Sequence, residues 1–271
     1  MDVKNKVVVV TGGASGIGKA LVELFAAEGA AHVVAADLDG DGAAAVADAA
    51  GPSVSGARLD VTDEDAVRAL VTDIETEHGP VDLYVSNAGI LFSDAPDWTV
   101  ISQTNAQWRK IWSVNVFAHI LACRAVLPGM IARAKEGAGT GFLVTASAAG
   151  LLSQIGDSAY STTKHAAVGF AESLAITHGD DGLYVGVLCP QAVDTPMIGE
   201  ARESSAAVDG ILPADEVARR TLAAMRDGAF MIRPHDKVAG YFQMKAADYD
   251  RWVGGMRKLR RMQMEKTGRP I

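Results

Sequence analysis

Short strand-like runs, most of them largely apolar and closing on a small or polar residue, alternate with stretches of helical periodicity along this chain and restrict what it can fold into. Val7 to Val10 ends at Thr11-Gly12-Gly13, after which Ile17, Leu21, Leu24 and Phe25 recur at helical spacing between Gly16 and Glu28. His32 to Ala36 ends at Asp37 and leads into an alanine-rich helix. Ser55 to Leu59 closes on Asp60, and beyond it Thr62 is positioned to cap a helix with Asp65 bonding back to it. Val81 to Val85 opens into Ser86-Asn87-Ala88-Gly89. A helical stretch from Gln107 to Arg133 precedes Phe142 to Thr145, and another from Ser158 to Thr177 precedes Tyr184 to Leu188.

Strands that are apolar throughout are covered on both faces, which is the condition of parallel strands joined by helices. The expected fold is therefore α/β, a Rossmann-type doubly wound parallel sheet, as a single domain over residues 1–234 with a helical C-terminal extension over 235–271. Right-handed crossovers in such a sheet bring ligands to the loops at the C-terminal ends of the strands.

Composition narrows the partner. A formal net charge of −8 argues against nonspecific attraction to nucleic acid or an anionic membrane, so a small-molecule substrate is expected. The two cysteines, Cys123 and Cys189, sit in apolar stretches without metal-type spacing and read as buried free thiols in a reducing compartment. No metal site is expected. The N-terminal run is too brief for a signal peptide, and no apolar run approaches the ~20 residues that span a bilayer, so the expected location is the cytoplasm.

The turn Thr11-Gly12-Gly13-Ala14-Ser15-Gly16-Ile17-Gly18 joins the first strand to the first helix. Gly12, Gly16 and Gly18 permit a tight turn, bring backbone N–H groups to a pyrophosphate and let the helix pack on the sheet. A glycine pattern alone is weak; its place between strand one and helix one points to a dinucleotide. Asp37, at the end of strand two, can accept hydrogen bonds from a ribose diol and would repel a 2′-phosphate. No Lys or Arg lies between Thr11 and Gly18, so NAD is preferred over NADP. The competing reading of Asp37 is a cap for the next segment, given Asp39 and Asp41 nearby.

Tyr160 and Lys164 are four apart in an expected helix and so share a face. A nearby ammonium, like a positive nicotinamide ring, favours the phenolate and makes Tyr160 a workable proton donor and acceptor. Spacing alone proves little, since Tyr241 and Lys245 repeat it without a supporting cast. Ser147 ends the strand that feeds this helix, where its hydroxyl can reach the oxygen that Tyr160 serves.

Taken together, Thr11-Gly12, Gly16, Gly18, Asn87-Ala88-Gly89, Ser147, Tyr160, Lys164 and Cys189-Pro190 resemble, in order and spacing, the short-chain dehydrogenase/reductases, from about Lys6 to Met197. The resemblance implies an oxidoreductase moving a hydride between NAD and a secondary alcohol or ketone. It also implies a catalytic tetrad in which Asn115 joins Ser147, Tyr160 and Lys164, holding a water that links Lys164 to solvent. From the residues alone Asn115 is only a polar residue inside a helix. By the same resemblance Ser15 and Ile17 belong to the phosphate turn and Leu38, Asp60 and Val61 flank the adenine. Asn87, Ala88 and Gly89 pack beside the cofactor, Lys164 bonds the nicotinamide ribose, and Pro190, Val193 and Thr195 lie at the carboxamide. A homo-oligomer, tetramer or dimer, is implied as well.

Two positions depart from the pattern: Gln191 stands where the family usually has glycine, and the last strand candidate, Ala229 to Arg233, is followed by a long tail instead of the usual ending. Ile90, Leu91, Phe92, Leu151, Leu152, Met197 and Ile198 are expected to face an apolar substrate, with Gln154 as a polar handle, and Gly199 to Gly210 to cover it. In the tail, Trp252, Met256, Leu259 and Met262 fall near one face, which reads as a packing stripe on the domain or a neighbouring subunit; Arg257, Lys258, Arg260 and Arg261 offer the alternative of a surface for an anionic substrate tail. Two rival functions share parts of the pattern: a non-catalytic dinucleotide sensor or scaffold, and a methyltransferase. Neither needs the Ser147, Tyr160, Lys164 relay.

Overall fold

The computed structural model describes residues 1–199 and 205–268. Strands β1 (Val7–Thr11), β2 (His32–Asp37), β3 (Val54–Arg58), β4 (Leu83–Ser86), β5 (Gly141–Thr145) and β6 (Tyr184–Leu188) alternate with helices α1 (Gly16–Ala27), α2 (Gly40–Ala50), α3 (Glu64–His78), α4 (Asn105–Trp112), α5 (Ala118–Lys135), α6 (Ala149–Leu152) and α7 (Ser158–His178). The short β7 (Val193–Asp194) and β8 (Leu212–Pro213) pair with each other, and α8 (Ala214–Arg226), β9 (Met231–Ile232), α9 (Lys237–Ala247) and α10 (Tyr249–Thr267) complete the chain. The main sheet has seven parallel strands in the order β3-β2-β1-β4-β5-β6-β9.

Alternate residues of each central strand feed two cores. Val9, Tyr84, Phe142 and Val144 meet α3, α5 and α7 on one face, while Val8, Val10, Leu83, Val85 and Leu143 meet α1, α2 and α8 on the other. Every residue of β1 and β5 is buried, as two-sided cover requires. The edge strand β3 alternates instead, and its Gly56 explains the small residues of α2: a Cβ there would lie 2.5 Å from the backbone nitrogen of Ala44, so helix and strand touch main chain to main chain.

Three expectations are corrected. The cap of α3 is Asp63, not Thr62; its carboxylate accepts from the N–H groups of Asp65 and Ala66 at 3.0 Å, while Thr62 gives both its N–H and its hydroxyl to Asp60. The helix expected from Gln107 to Arg133 starts earlier, with a Thr104–Gln107 capping box, and is interrupted by a π-turn over Ser113–Phe117 that contains Asn115. That same run, 105–135, is also long and apolar enough to cross a membrane by length and composition, with a mean hydropathy of 1.6 over its 18-residue window. Half of the window is buried in the domain, where it forms part of the core behind the sheet.

The strand order reverses direction between β1 and β4, and the loops after these two strands part to leave a crevice. Thr11 ties its two lips together: its hydroxyl donates to Val85 O and accepts from the N–H groups of Asn87 and Ala88, at 2.9 and 3.1 Å.

Candidate active site

From this crevice a cleft of about 1150 Å³ runs along the C-terminal ends of the strands. Its floor at one end is the glycine turn. Gly12 and Gly16 have φ of +67° and +54°, and a Cβ on Gly18 would stand 2.0 Å from Gly12 O, so the turn closes only on glycine. Asn87 donates from its amide to Thr11 O at 2.9 Å, locking the turn against the next loop. Asp37 lines the cleft and accepts from Ala14 N at 3.0 Å and Asp39 N at 3.1 Å; the cap of α2 is Asp39, which leaves the Asp37 carboxylate facing the cleft instead of capping. Asp60 and Val61 line the neighbouring wall, with the Asp60 carboxyl held below its usual range by its bonds to Thr62. Leu38 projects beside them, and Lys110 from α4 is close enough to Asp60 to lower its pKa further.

Farther along, Ser147, Tyr160 and Lys164 converge on the same cleft. The loop after β5 carries Ser147, whose hydroxyl accepts from Ala149 N at 3.1 Å and donates to Pro190 O at 3.3 Å. Tyr160 and Lys164 stand on α7, with the Lys164 Nζ 5.6 Å from the phenol ring centre and bonded to Thr145 O at 2.9 Å. Both are buried. Burial lifts the Tyr160 phenol to about 12, opposed by its bond to Ser147, and lowers Lys164 to about 8. In the protein alone, burial pushes both groups toward their neutral forms.

Asn115 lies beneath, fully buried. Its amide spans the loop after β4, accepting from Ile90 N and donating to Ile90 O, both at 2.9 Å, and also donates to Thr163 Oγ1 at 3.1 Å. The π-turn supplies the extra residue that aims this side chain at the loop. Gly89 separates the layers: a Cβ there would be 3.4 Å from both Asn115 Oδ1 and Lys164 Nζ. Two residues near this group gave no sequence signal. His119, one turn beyond Asn115, is fully buried with Nδ1 2.7 Å from Ser86 Oγ; burial and the Lys164 charge pull it down to about 3, so it is a neutral imidazole. Asp94, also buried, accepts from Ser158 N, Ser158 Oγ and Gln103 Nε2, clamping the loop after β4 to the start of α7, and Gln154 holds the adjacent Asp157 at 2.7 Å.

Of the residues expected to face substrate, Ile90, Leu91, Leu152, Gln154, Met197 and Ile198 line the cleft, whereas Phe92 packs into a small cluster with Ile111 and Ala149, and Leu151 belongs to the core. Gln191 is absorbed without positive φ: its N–H meets His235 Nδ1 at 3.1 Å and its amide meets Asp209 at 3.3 Å. Asp209 also receives Lys237 and Tyr241 from α9, so this end of the expected cover is tied down; residues 200–204 of that cover lie outside the described residues. The last strand is only Met231–Ile232. The tail does not simply pack: Tyr241, Met244, Trp252, Gly255, Met256 and Leu259 form a wall of the cleft, while Met262 is half exposed. Lys245, partner of Tyr241 in the decoy spacing, is buried elsewhere and bonds Leu151 O at 2.6 Å.

Against known proteins, residues 6–206 match the family model for short chain dehydrogenases. The chain belongs to the short-chain dehydrogenase/reductase family. It is 35% identical over 237 residues to 1-deoxy-11-beta-hydroxypentalenate dehydrogenase of Streptomyces exfoliatus, covering 86% of this chain and 84% of that protein. It is 34% identical over 253 residues to cis-4-hydroxycyclohexanecarboxylate dehydrogenase of Sinomonas cyclohexanicum, covering 92% of each. Among solved structures, a short chain dehydrogenase/reductase from Burkholderia phymatum in complex with NAD superimposes with a TM-score of 0.82 at 27% identity, covering 92% of this chain and 96% of that one. The chain is thus an oxidoreductase of this family that uses a nicotinamide dinucleotide, and the sensor alternative is not favoured. The glycine turn fits such a group, because Gly12, Ser15, Gly16 and Ile17 line the cleft and the turn is held close to its surroundings: a Cβ at Gly12 would press on Asn87 and Ala88, and one at Gly16 on Thr195.

Proposed function

We propose that this short-chain dehydrogenase is NAD-dependent and oxidises a secondary alcohol on an apolar skeleton to the ketone, or runs the reverse reduction. The convergence of Ser147, Tyr160 and Lys164 on one cleft with the glycine turn carries the reading. In it, Gly12, Ser15, Gly16 and Ile17 receive the pyrophosphate, with Gly18 letting α1 approach. Asp37 and Leu38 hold the adenosine ribose, Asp60 and Val61 flank the adenine, and Asn87, Ala88 and Gly89 pack along the cofactor. Pro190, Val193 and Thr195 meet the nicotinamide amide; the Thr195 hydroxyl, 3.3 Å from Val193 O, is oriented by that carbonyl. NAD is favoured over NADP because the Asp37 carboxylate, fixed by Ala14 and Asp39, would face a 2′-phosphate with like charge.

A nicotinamide bound there would supply the acceptor for the carbinol hydride and its electron pair. Tyr160 takes the hydroxyl proton, and Ser147, its oxygen held by Ala149 N, turns its one proton from Pro190 O to the substrate oxygen as that becomes a carbonyl. Burial alone leaves the Tyr160 phenol too weak an acid; the Lys164 ammonium, 5.6 Å from its ring centre, favours the ionised form, as would the positive charge of an oxidised nicotinamide held in the cleft. Asn115 anchors the loop under Lys164 and holds the path by which the proton leaves. The two relatives named above are dehydrogenases of a hydroxypentalenate and a hydroxycyclohexanecarboxylate, which supports a secondary alcohol on a carbocycle.

The same reading holds the protein to be a cytoplasmic homo-oligomer, supported by the exposed apolar Ile176 on α7 and Phe117 in the π-turn; light scattering on the eluted protein gives the mass. The enzymatic reading is tested by following NADH and NADPH formation with a panel of cyclic and acyclic secondary alcohols. Turnover with NAD is expected, and a panel inert with both dinucleotides, in both directions, contradicts it.

A further inference from the structure

Building on that reading, we infer that the C-terminal helix pair is the substrate's recognition wall and that Arg251 selects a secondary alcohol carrying a carboxylate away from its carbinol carbon. The charges that line the cleft divide by position. Asp37, Asp60 and Lys110 lie at the adenosine end, and Lys164 is committed to Tyr160 and Thr145. At the substrate end stand Asp248 and Arg251, both at the start of α10.

These two are not equivalent. Asp248 is the cap of α10; its carboxylate turns back along the helix to accept Arg251 N at 2.9 Å, so one of its oxygens is held by the helix end. Among the described residues no carboxylate lies within ion-pair distance of the Arg251 guanidinium, although the chain as a whole carries an excess of acidic groups. By contrast, Arg219, Arg220 and Arg226 on α8 are all paired. The basic residues that suggested an anion site from sequence, Arg257, Lys258, Arg260 and Arg261, do not line the cleft. Arg251 does, because it shares the helix face of Trp252, Gly255, Met256 and Leu259.

That face describes the remainder of the ligand. Met244 from α9 and Trp252, Met256 and Leu259 from α10 offer polarisable, apolar contact, and Gly255 leaves room between them. Trp252 is anchored by packing against Tyr241, ring centres 6.5 Å apart, and α9 is anchored in turn by buried Val238 and Lys245, so the wall has a fixed shape. An apolar carbocycle fits such a wall, with its carboxylate reaching the Arg251 guanidinium at the rim. The guanidinium fork binds both carboxylate oxygens in a way that an ammonium does not.

The test compares kcat/KM for matched pairs of cyclic secondary alcohols, such as 3-hydroxycyclohexanecarboxylate against its methyl ester, using the full chain with saturating NAD. The wild type is expected to prefer the acid by about tenfold, the value of a partly exposed charge-assisted pair, with the preference carried by KM and shrinking as salt is added. Arg251→Gln brings the acid-to-ester ratio close to one, Arg251→Lys restores part of it, and Arg257→Gln leaves it as in the wild type. An unchanged ratio in Arg251→Gln, or a wild-type preference for the ester, overturns the assignment while leaving the dehydrogenase reading standing. Absence of turnover for every pair with either dinucleotide overturns both.

Discussion

Replacing Gly18 by alanine tests the geometry that makes the glycine turn a cofactor site. The added Cβ would sit 2.0 Å from Gly12 O and 2.7 Å from Asn87 Nδ2, the first about 1.5 Å short of ordinary contact. Neither neighbour yields cheaply, since Gly12 O is main chain and the Asn87 amide is bonded to Thr11 O at 2.9 Å. Relief requires α1 to back away from β1, an overpacking cost of about 1–3 kcal/mol, or a Tm lowered by roughly 2–12 °C in a chain of this size. The same movement takes the helix N-terminus off the pyrophosphate position, so NADH affinity falls by at least about tenfold. Gly240→Ala is the control: α9 has open space at that position, and alanine should raise stability by about 0.5–1 kcal/mol through helix propensity. Scanning calorimetry and a fluorescence titration with NADH read both effects. A Gly18→Ala protein with wild-type Tm and wild-type NADH affinity would refute the close approach of helix and turn.

Asp157 carries a pH signature. Burial and the nearby Asp94 raise its carboxyl from 3.8 to about 7, so below pH 4 it is protonated in both folded and unfolded chains, and between pH 4 and 7 the folded chain holds the extra proton. Its contribution is therefore lost as pH rises through that window, and Asp157→Asn should flatten the decline of Tm between pH 4 and 7; an unchanged slope contradicts a buried, shifted carboxyl. Asp63→Ala removes two bonds at the start of α3 and should cost about 1 kcal/mol, against no cap loss for Thr62→Val, both measured by urea unfolding. Asp37→Ser removes the carboxylate that faces the 2′ position and should shift the NADP-to-NAD ratio of kcat/KM upward by about tenfold or more, whereas an unmoved ratio places coenzyme choice elsewhere.

The sheet was legible because its central strands are apolar on both faces, and the phosphate turn because glycine is required where φ is positive or a helix touches main chain. What escaped depended on contacts distant in sequence. Asn115 came only through the family resemblance; from the residues alone it looks like any polar helix residue, since a π-turn leaves no mark in hydrophobic periodicity. Asp94 and His119 are single polar residues whose meaning comes from partners 64 and 33 positions away. The α10 stripe was visible, but periodicity shows only that a face is covered, and here the face is turned to the cleft. Spacing alone does not discriminate: Tyr241 and Lys245 repeat the Tyr160, Lys164 interval, yet one bonds Asp209 and the other Leu151 O.

The role assigned to the Tyr160 hydroxyl is measured most directly by single-turnover NADH formation in Tyr160→Phe, with NADH affinity determined on the same preparation. Removing one oxygen leaves the buried ring in place, so binding should stay within about twofold while turnover falls by at least about 10²-fold, the low end for loss of a positioned acid–base group. A phenylalanine variant that reduces NAD at a rate near that of the wild type would contradict proton transfer through Tyr160.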